Sequence, residues 1–224
     1  MRDGGVMVNQ FCSAFSRFLL AIAALALALP SAAASFDLME GVDYTEITPQ
    51  PVADPVRIEV IEFFHYGCES CNRLEPHLQA WQKALPADIL FRRVPALRRV
   101  AWAPLTKIYF ALEQLGELER LHAQVYEAVN DGRLNPDHSA GLRVWARARG
   151  LDSAQFERLL NSDQVSAQVQ SARDATVAYG IRATPSFVVD GRFMTSGGMA
   201  GSLDALLPTV DALIDKVRAQ RMLK

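Results

Sequence analysis

The run Ile58-Glu59-Val60-Ile61-Glu62-Phe63-Phe64-His65-Tyr66-Gly67-Cys68-Glu69-Ser70-Cys71 decides the fold. Residues 57–64 are rich in β-branched and aromatic side chains and are bounded by Pro55 and Gly67, which predicts a strand buried on both faces toward its end. Two cysteines three positions apart follow at once. Residues 72–81 then have helical composition, and Pro76 is expected to kink that helix. Residues 89–94 read as the next strand. Strand, helix, strand in this order is a right-handed crossover between parallel strands.

Outward from this unit the pattern changes twice. From about residue 101 to 180 the apolar period is helical: Trp102, Leu105, Tyr109, Leu112 and Leu115 fall on one face, and so do Leu118, Leu121, Val125 and Val129. Further helices are expected at about 136–149, 153–160 and 164–179, each with a glycine or capping residue at a boundary. Strand signals then return at 186–189 and 192–195 around Asp190-Gly191, a strong hairpin signal. An amphipathic helix over about 203–220 closes the chain. Ahead of the first strong strand, the proline-rich lead-in of residues 37–55 has room for one short edge strand near 44–47. The architecture is therefore α/β: a small mixed sheet in two halves, with a block of about five helices between them.

The first 34 residues are read separately. A start whose charges are Arg2, Asp3 and Arg17 leads to a twelve-residue apolar run up to Pro30, and Ser31-Ala32-Ala33-Ala34 follows. That run is too short for a membrane anchor and fits a secretory signal cleaved before Ser35. Cys12 lies ahead of the run, so it is not placed as a lipid anchor. With the leader gone, Cys68 and Cys71 are the cysteines left of the three in the chain. Export to an oxidising compartment with just this pair calls for redox chemistry. The net charge of −2 gives no basis for binding nucleic acid.

Cys68-Glu69-Ser70-Cys71 sits where a strand ends and a helix begins. A thiolate there faces unpaired backbone N–H groups and the positive end of the helix dipole, which lowers its pKa. Cys71, one turn along, can reach back to close a disulfide, so Cys68 is expected to attack and Cys71 to resolve. Thr184-Pro185 opens the first strand of the hairpin. Either a cis bond there presents the Thr184 backbone to an extended substrate, or an ordinary trans proline precedes an edge strand.

Phe63-Phe64-His65-Tyr66-Gly67-Cys68-x-x-Cys71, then Glu75-Pro76, the helical block and Ala183-Thr184-Pro185-Ser186-Phe187-Val188-Val189-Asp190-Gly191 resemble the DsbA family of bacterial periplasmic thiol:disulfide oxidoreductases. The resemblance implies a thioredoxin fold with an inserted helical domain. The boundaries expected are a signal peptide at 1–34, thioredoxin-like segments at 35–100 and 166–224, and the insertion at 101–165. It implies that Cys68 is the nucleophile, Cys71 the resolving thiol, Thr184 and Pro185 the substrate-binding turn, and Glu62 a buried acid beneath the pair. It implies a periplasmic monomer without cofactor or metal, which donates its disulfide to reduced or unfolded exported proteins and is reoxidised by a DsbB-type membrane partner. The departure lies between the cysteines, where Glu69-Ser70 replaces the family's usual Pro-His. Serine stabilises a thiolate less than histidine does, and Glu69 competes for the dipole, so the chain is expected to be a weaker oxidant than is usual in the family.

Two other functions share these motifs: a disulfide reductase or isomerase, and a peptide-binding chaperone without turnover. A zinc site built from His65, Cys68, Cys71 and His77 is not expected, because Cys71 and His77 lie about 120° apart around one helix. The cluster Arg92, Arg93, Arg98 and Arg99 reads as a solvated loop. His65 reads as a groove-lining side chain, His77, His122 and His138 as surface residues, and Trp81, Trp102 and Trp145 as core.

Overall fold

The computed structural model describes residues 37–223; the leader expected at 1–34 and Cys12 lie outside them. In chain order come β1 (Thr45–Glu46), β2 (Ile58–Phe64), α1 (Glu69–Lys83), β3 (Ile89–Pro95), a 3-10 turn (Val100–Trp102), α2 (Ala103–Gln114), α3 (Leu118–Asn130), α4 (Ser139–Ala148), α5 (Ser153–Leu160), α6 (Asp163–Ala178), β4 (Ser186–Val189), β5 (Phe193–Ser196) and α7 (Leu206–Met222). The sheet order is β1-β5-β4-β2-β3, with β2 and β3 parallel and the other pairs antiparallel. This is the thioredoxin fold, with helices inserted between β3 and β4.

All seven residues of β2 are buried, because it has neighbours on both edges and helices on both faces. Ile58 and Val60 pack with Leu74 and Leu78 of α1 and with Val210 and Leu213 of α7. Ile61 and Phe63 point the other way, onto Ala172 of α6 and Tyr179. The two-residue period therefore puts Glu62 on the face covered by α1, directly below the helix that carries the cysteines. Phe64 ends the strand and joins sheet to insertion. Its ring lies 5.1–5.9 Å from those of Tyr66, Tyr109, His122 and Tyr126. Cutting it back to alanine would cost about 3–5 kcal/mol through lost packing and the cavity left behind.

Pro76 lies inside α1, which runs on from Glu69 to Lys83. Two expectations need correction. Arg92 and Arg93 are not loop residues but stand on β3, where parallel pairing sets Arg93 opposite Glu62. Trp145 is core, but Trp81 and Trp102 are only half-buried: Trp81 donates its indole N–H to Asp211, and Trp102 stacks on His65 at 4.0 Å.

Candidate active site

Cys68 is the residue that starts α1. Its backbone is extended (φ −93°, ψ 110°), and its sulfur accepts the Cys71 backbone N–H at 3.2 Å, the place a serine oxygen takes at many helix starts. A Cβ at Gly67, just ahead of Cys68, would stand 2.9 Å from His65 Cε1, so a side chain there would have to push the imidazole aside. Cys71 is buried one turn inside the helix, and its thiol donates to Cys68 Sγ, with the sulfurs 2.6 Å apart. On the other side of Cys68, Sγ lies 3.3 Å from the Thr184 carbonyl oxygen. The Thr184–Pro185 bond is cis.

These contacts pull the two thiols apart in acidity. The Cys68 thiol is drawn down to about 6, first by the hydrogen bond from Cys71, then against burial by the Thr184 hydroxyl and the backbone N–H groups of Cys71 and Ser70. Burial, followed by the hydrogen bond it gives to Cys68, pushes the Cys71 thiol far up. At neutral pH the pair is one thiolate and one thiol.

Below them lies a dry polar cluster. Glu62, 1% exposed, accepts from Arg93 Nε at 3.1 Å, and Arg93 Nη2 reaches Glu75 at 3.3 Å. Burial pushes Glu62 up to about 8, which the Arg93 charge opposes and the neighbouring Glu75 reinforces. Burial acts on Glu75 in the same direction, but His122, Arg93 and Gln79 outweigh it and hold that carboxyl below its ordinary range. One cation with one settled anion explains why a second buried carboxylate resists ionising.

Above the pair, Ser70, Arg73, Thr184, Pro185, Gly198 and Leu203 line a cavity of about 230 Å³. A second, of about 720 Å³, adjoins it through Arg73 and Leu203 and extends to His77 and Leu207. Glu69 is exposed, so its charge is solvated rather than held against the sulfur. The structure thus gathers Cys68, Cys71, Ser70, Thr184 and Pro185 at one point with Glu62 beneath, and leaves Glu69 outside. What Ser70 offers the sulfur is its backbone N–H.

Four members of the buried cluster were missed as functional residues: Arg93, Glu75, Tyr66 and His122. His122 is a correction, being 2% exposed rather than on the surface. The helical period carried a signal for it, since His122 and Tyr126 fall within the Leu118, Leu121, Val125, Val129 stripe. His65 is buried against Trp102, and burial drives its pKa down to about 4. His138 bonds locally, accepting the Gly141 N–H. Among the described residues no group of three or more His, Cys, Asp or Glu side chains is placed to hold a metal ion.

A thiolate and a thiol at the start of a helix, with an acid held protonated beneath them, are matched to thiol–disulfide exchange. On this sheet they define an oxidoreductase of the thioredoxin class. Comparison with known proteins narrows the class. The DSBA-like thioredoxin domain matches residues 74–207. The thiol:disulfide interchange protein DsbA of Pseudomonas aeruginosa is 33% identical over 202 residues, covering 90% of this chain and 96% of that protein. The Bordetella pertussis protein of the same name is 37% identical over 171 residues, covering 76% and 81%. The crystal structure of Pseudomonas aeruginosa DsbA superposes with a TM-score of 0.78 at 32% identity, covering 83% of this chain and 97% of that one. The chain belongs to the DsbA family, and it is a thiol:disulfide oxidoreductase of oxidative protein folding.

Proposed function

We propose that the Cys68–Cys71 disulfide is passed to reduced proteins in the periplasm after export, and that the chain is a milder oxidant than is usual in its family. A client thiolate attacks Cys68 Sγ, the half-exposed sulfur, forming a mixed disulfide and releasing Cys71 as a thiolate. Cys71 takes a proton, for which protonated Glu62 is the nearby donor. A second client thiolate then attacks the client's own sulfur, releasing Cys68 as a thiolate. The client loses two electrons and gains a disulfide; Cys68 and Cys71 gain them as thiolate and thiol. A DsbB-type membrane partner removes those electrons.

The observation that carries this reading is the asymmetry of the pair, with Cys68 at the start of α1 drawn down to about 6 while Cys71 is buried and pushed up. Thr184, beside Pro185 and the 230 Å³ cavity, offers main-chain hydrogen bonds to an extended client. A thiolate favoured in the reduced form makes the disulfide oxidising, and strongly oxidising members of the family hold this thiol near about 3.5, with thioredoxin near about 7. A value between them corresponds to intermediate strength.

The test uses the oxidised protein with a reduced, unfolded client and, in parallel, a scrambled one, together with the potential measured against glutathione. Rapid oxidation of the first, with a potential between those of thioredoxin and the strongly oxidising DsbA proteins, is expected. Preferential reshuffling of the scrambled client would assign the chain to isomerases, and binding without exchange would make it a chaperone.

A further inference from the structure

The polar cluster beneath the cysteines does not end in the thioredoxin half of the chain. From Glu75 it passes to His122 on α3, whose Nε2 lies 3.6 Å from Glu75 Oε2. From His122 it returns to the active-site loop, because the Tyr66 hydroxyl lies 2.8 Å from Nδ1. The same helix holds Tyr66 twice more. Asn130 Nδ2 donates to the Tyr66 carbonyl at 3.0 Å, and the Tyr126 ring packs edge-on against the Tyr66 ring at 5.0 Å. His122, Tyr126 and Asn130 stand four residues apart and so share one face of α3. One inserted helix thereby grips the residue two positions before Cys68 and, through a single imidazole, the carboxylate four positions after Cys71.

We propose that His122 is a positioning residue for disulfide exchange: by joining Tyr66 to Glu75 it fixes how Arg93 divides between Glu75 and Glu62, and so sets the proton affinity of the acid beneath Cys71. The consequence for exchange rests on the role given to Glu62 above.

The proton positions follow from the partners. A carboxylate only accepts, so Nε2 facing Glu75 carries the proton, and Nδ1 accepts from the Tyr66 hydroxyl. Burial lowers the His122 pKa against the pull of Glu75, so the ring is neutral, and burial raises that of Tyr66, so its hydroxyl stays a donor. The Tyr66 hydroxyl thus selects the tautomer that serves Glu75. With His122 and Gln79 both directed at Glu75, less is asked of Arg93 there, and its Nε stays on Glu62.

The charged and titratable groups around Glu62 are Arg93 from β3, Glu75, Cys68 and Cys71 at α1, Tyr66, Tyr109 from α2 and Tyr126 from α3. Around His122 they are Glu75, Arg93, Tyr66, Tyr109, and Glu119 and Tyr126 of its own helix. Arg93 is the one cation among the groups around Glu62. Removing the His122 N–H draws Arg93 toward Glu75 and leaves Glu62 less compensated, so Glu62 binds its proton more tightly.

The experiment follows the Glu62 carboxyl by carbon-13 NMR across a pH titration of the oxidised full chain. His122→Phe is expected to raise the Glu62 midpoint by about half a unit or more, a threefold change in its acid constant. Tyr66→Phe, which frees the tautomer without emptying the site, is expected to move it in the same direction by less. His122→Gln, which restores an N–H toward Glu75, is expected to bring the midpoint back toward the unsubstituted value. Should His122→Phe not fold, the shift in Tyr66→Phe decides the matter. An unchanged Glu62 midpoint in the folded variants, even with lowered melting temperatures, would overturn the proposal. The midpoint is read without turnover: a shifted midpoint with an unchanged pH profile of exchange would instead refute the part given to Glu62, and leave the His122 coupling standing.

Discussion

The two sides of the first turn of α1 are built on opposite principles. Above it, Glu69, Arg73 and His77 are exposed, and Thr184 and Pro185 line a cavity open to solvent. Below it, Glu62, Arg93, Glu75, His122 and Tyr66 are dry and face one another. Cys68 belongs to the wet side and Cys71 to the dry one. The same thiol chemistry therefore gives an exchangeable sulfur at one position and a proton-holding sulfur three residues on. On the wet side charges are screened and substitutions act through few contacts; on the dry side each polar group leans on its neighbours, and changing one moves the rest.

Removing either sulfur breaks the comparison most severely. Cys68→Ser should abolish client oxidation. Cys71→Ser should leave Cys68 able to join a client and unable to be released from it, so mixed disulfides accumulate and are visible by intact mass. Brief alkylation of the reduced protein should label Cys68 first; preferential labelling of Cys71 would reverse the assignment.

Next in size is the dry side. The folded pKa of Glu62, about 8, stands above its ordinary 4.5, so its contribution to stability is complete below pH 4.5 and is lost as pH rises through 8. Glu62→Gln keeps the shape and removes the titration. In the oxidised protein, where neither thiol ionises, the variant should match the unsubstituted chain at pH 5 and exceed it at pH 9 by a few kcal/mol in chemical denaturation. Parallel stability curves at both pH values would mean that Glu62 is not forced to stay protonated.

The wet side should respond more mildly. Replacing Glu69-Ser70 by Pro-His is expected to lower the Cys68 pKa and raise the reduction potential. Moving that thiol from about 6 to about 3.5 favours the thiolate at pH 7 by roughly 2.5 decades, or on the order of 70 mV. The Ser70→His change should carry most of it. Glu69→Gln alone is the smallest effect foreseen: an exposed charge is worth well under about 1 kcal/mol, or under roughly 20 mV. Titration against glutathione measures all three, and an unchanged potential in the double variant would show that this dipeptide does not set the redox poise.

The wet side was largely legible in the sequence because its signals are local. A strand ending in Phe63-Phe64, the cysteine pair at a helix start, and Asp190-Gly191, both residues at positive φ (52° and 64°), each state their structure within a few residues. The dry side was legible only at Glu62, and there through family resemblance. Arg93 meets Glu62 because β3 pairs in parallel with β2 at that register, a fact no one-dimensional pattern contains. His122 meets Glu75 across 47 positions of chain, and its place in an apolar stripe marks burial without naming a partner. Local chemistry shows in spacing, whereas long-range polar pairing shows only after the chain has folded.

The asymmetry of the two thiols is the centre of the account, and thiolate absorbance of the reduced protein across pH measures it. Because the Cys68 pKa is lowered from 9.0 to about 6, its stabilisation of the reduced form is complete above pH 9 and is lost as pH falls through 6. One thiolate should therefore appear with a midpoint near pH 6, and Cys71 should add none up to pH 10. Two thiols titrating together between pH 8 and 9 would contradict the assignment of Cys68 to exchange and of Cys71 to the dry side.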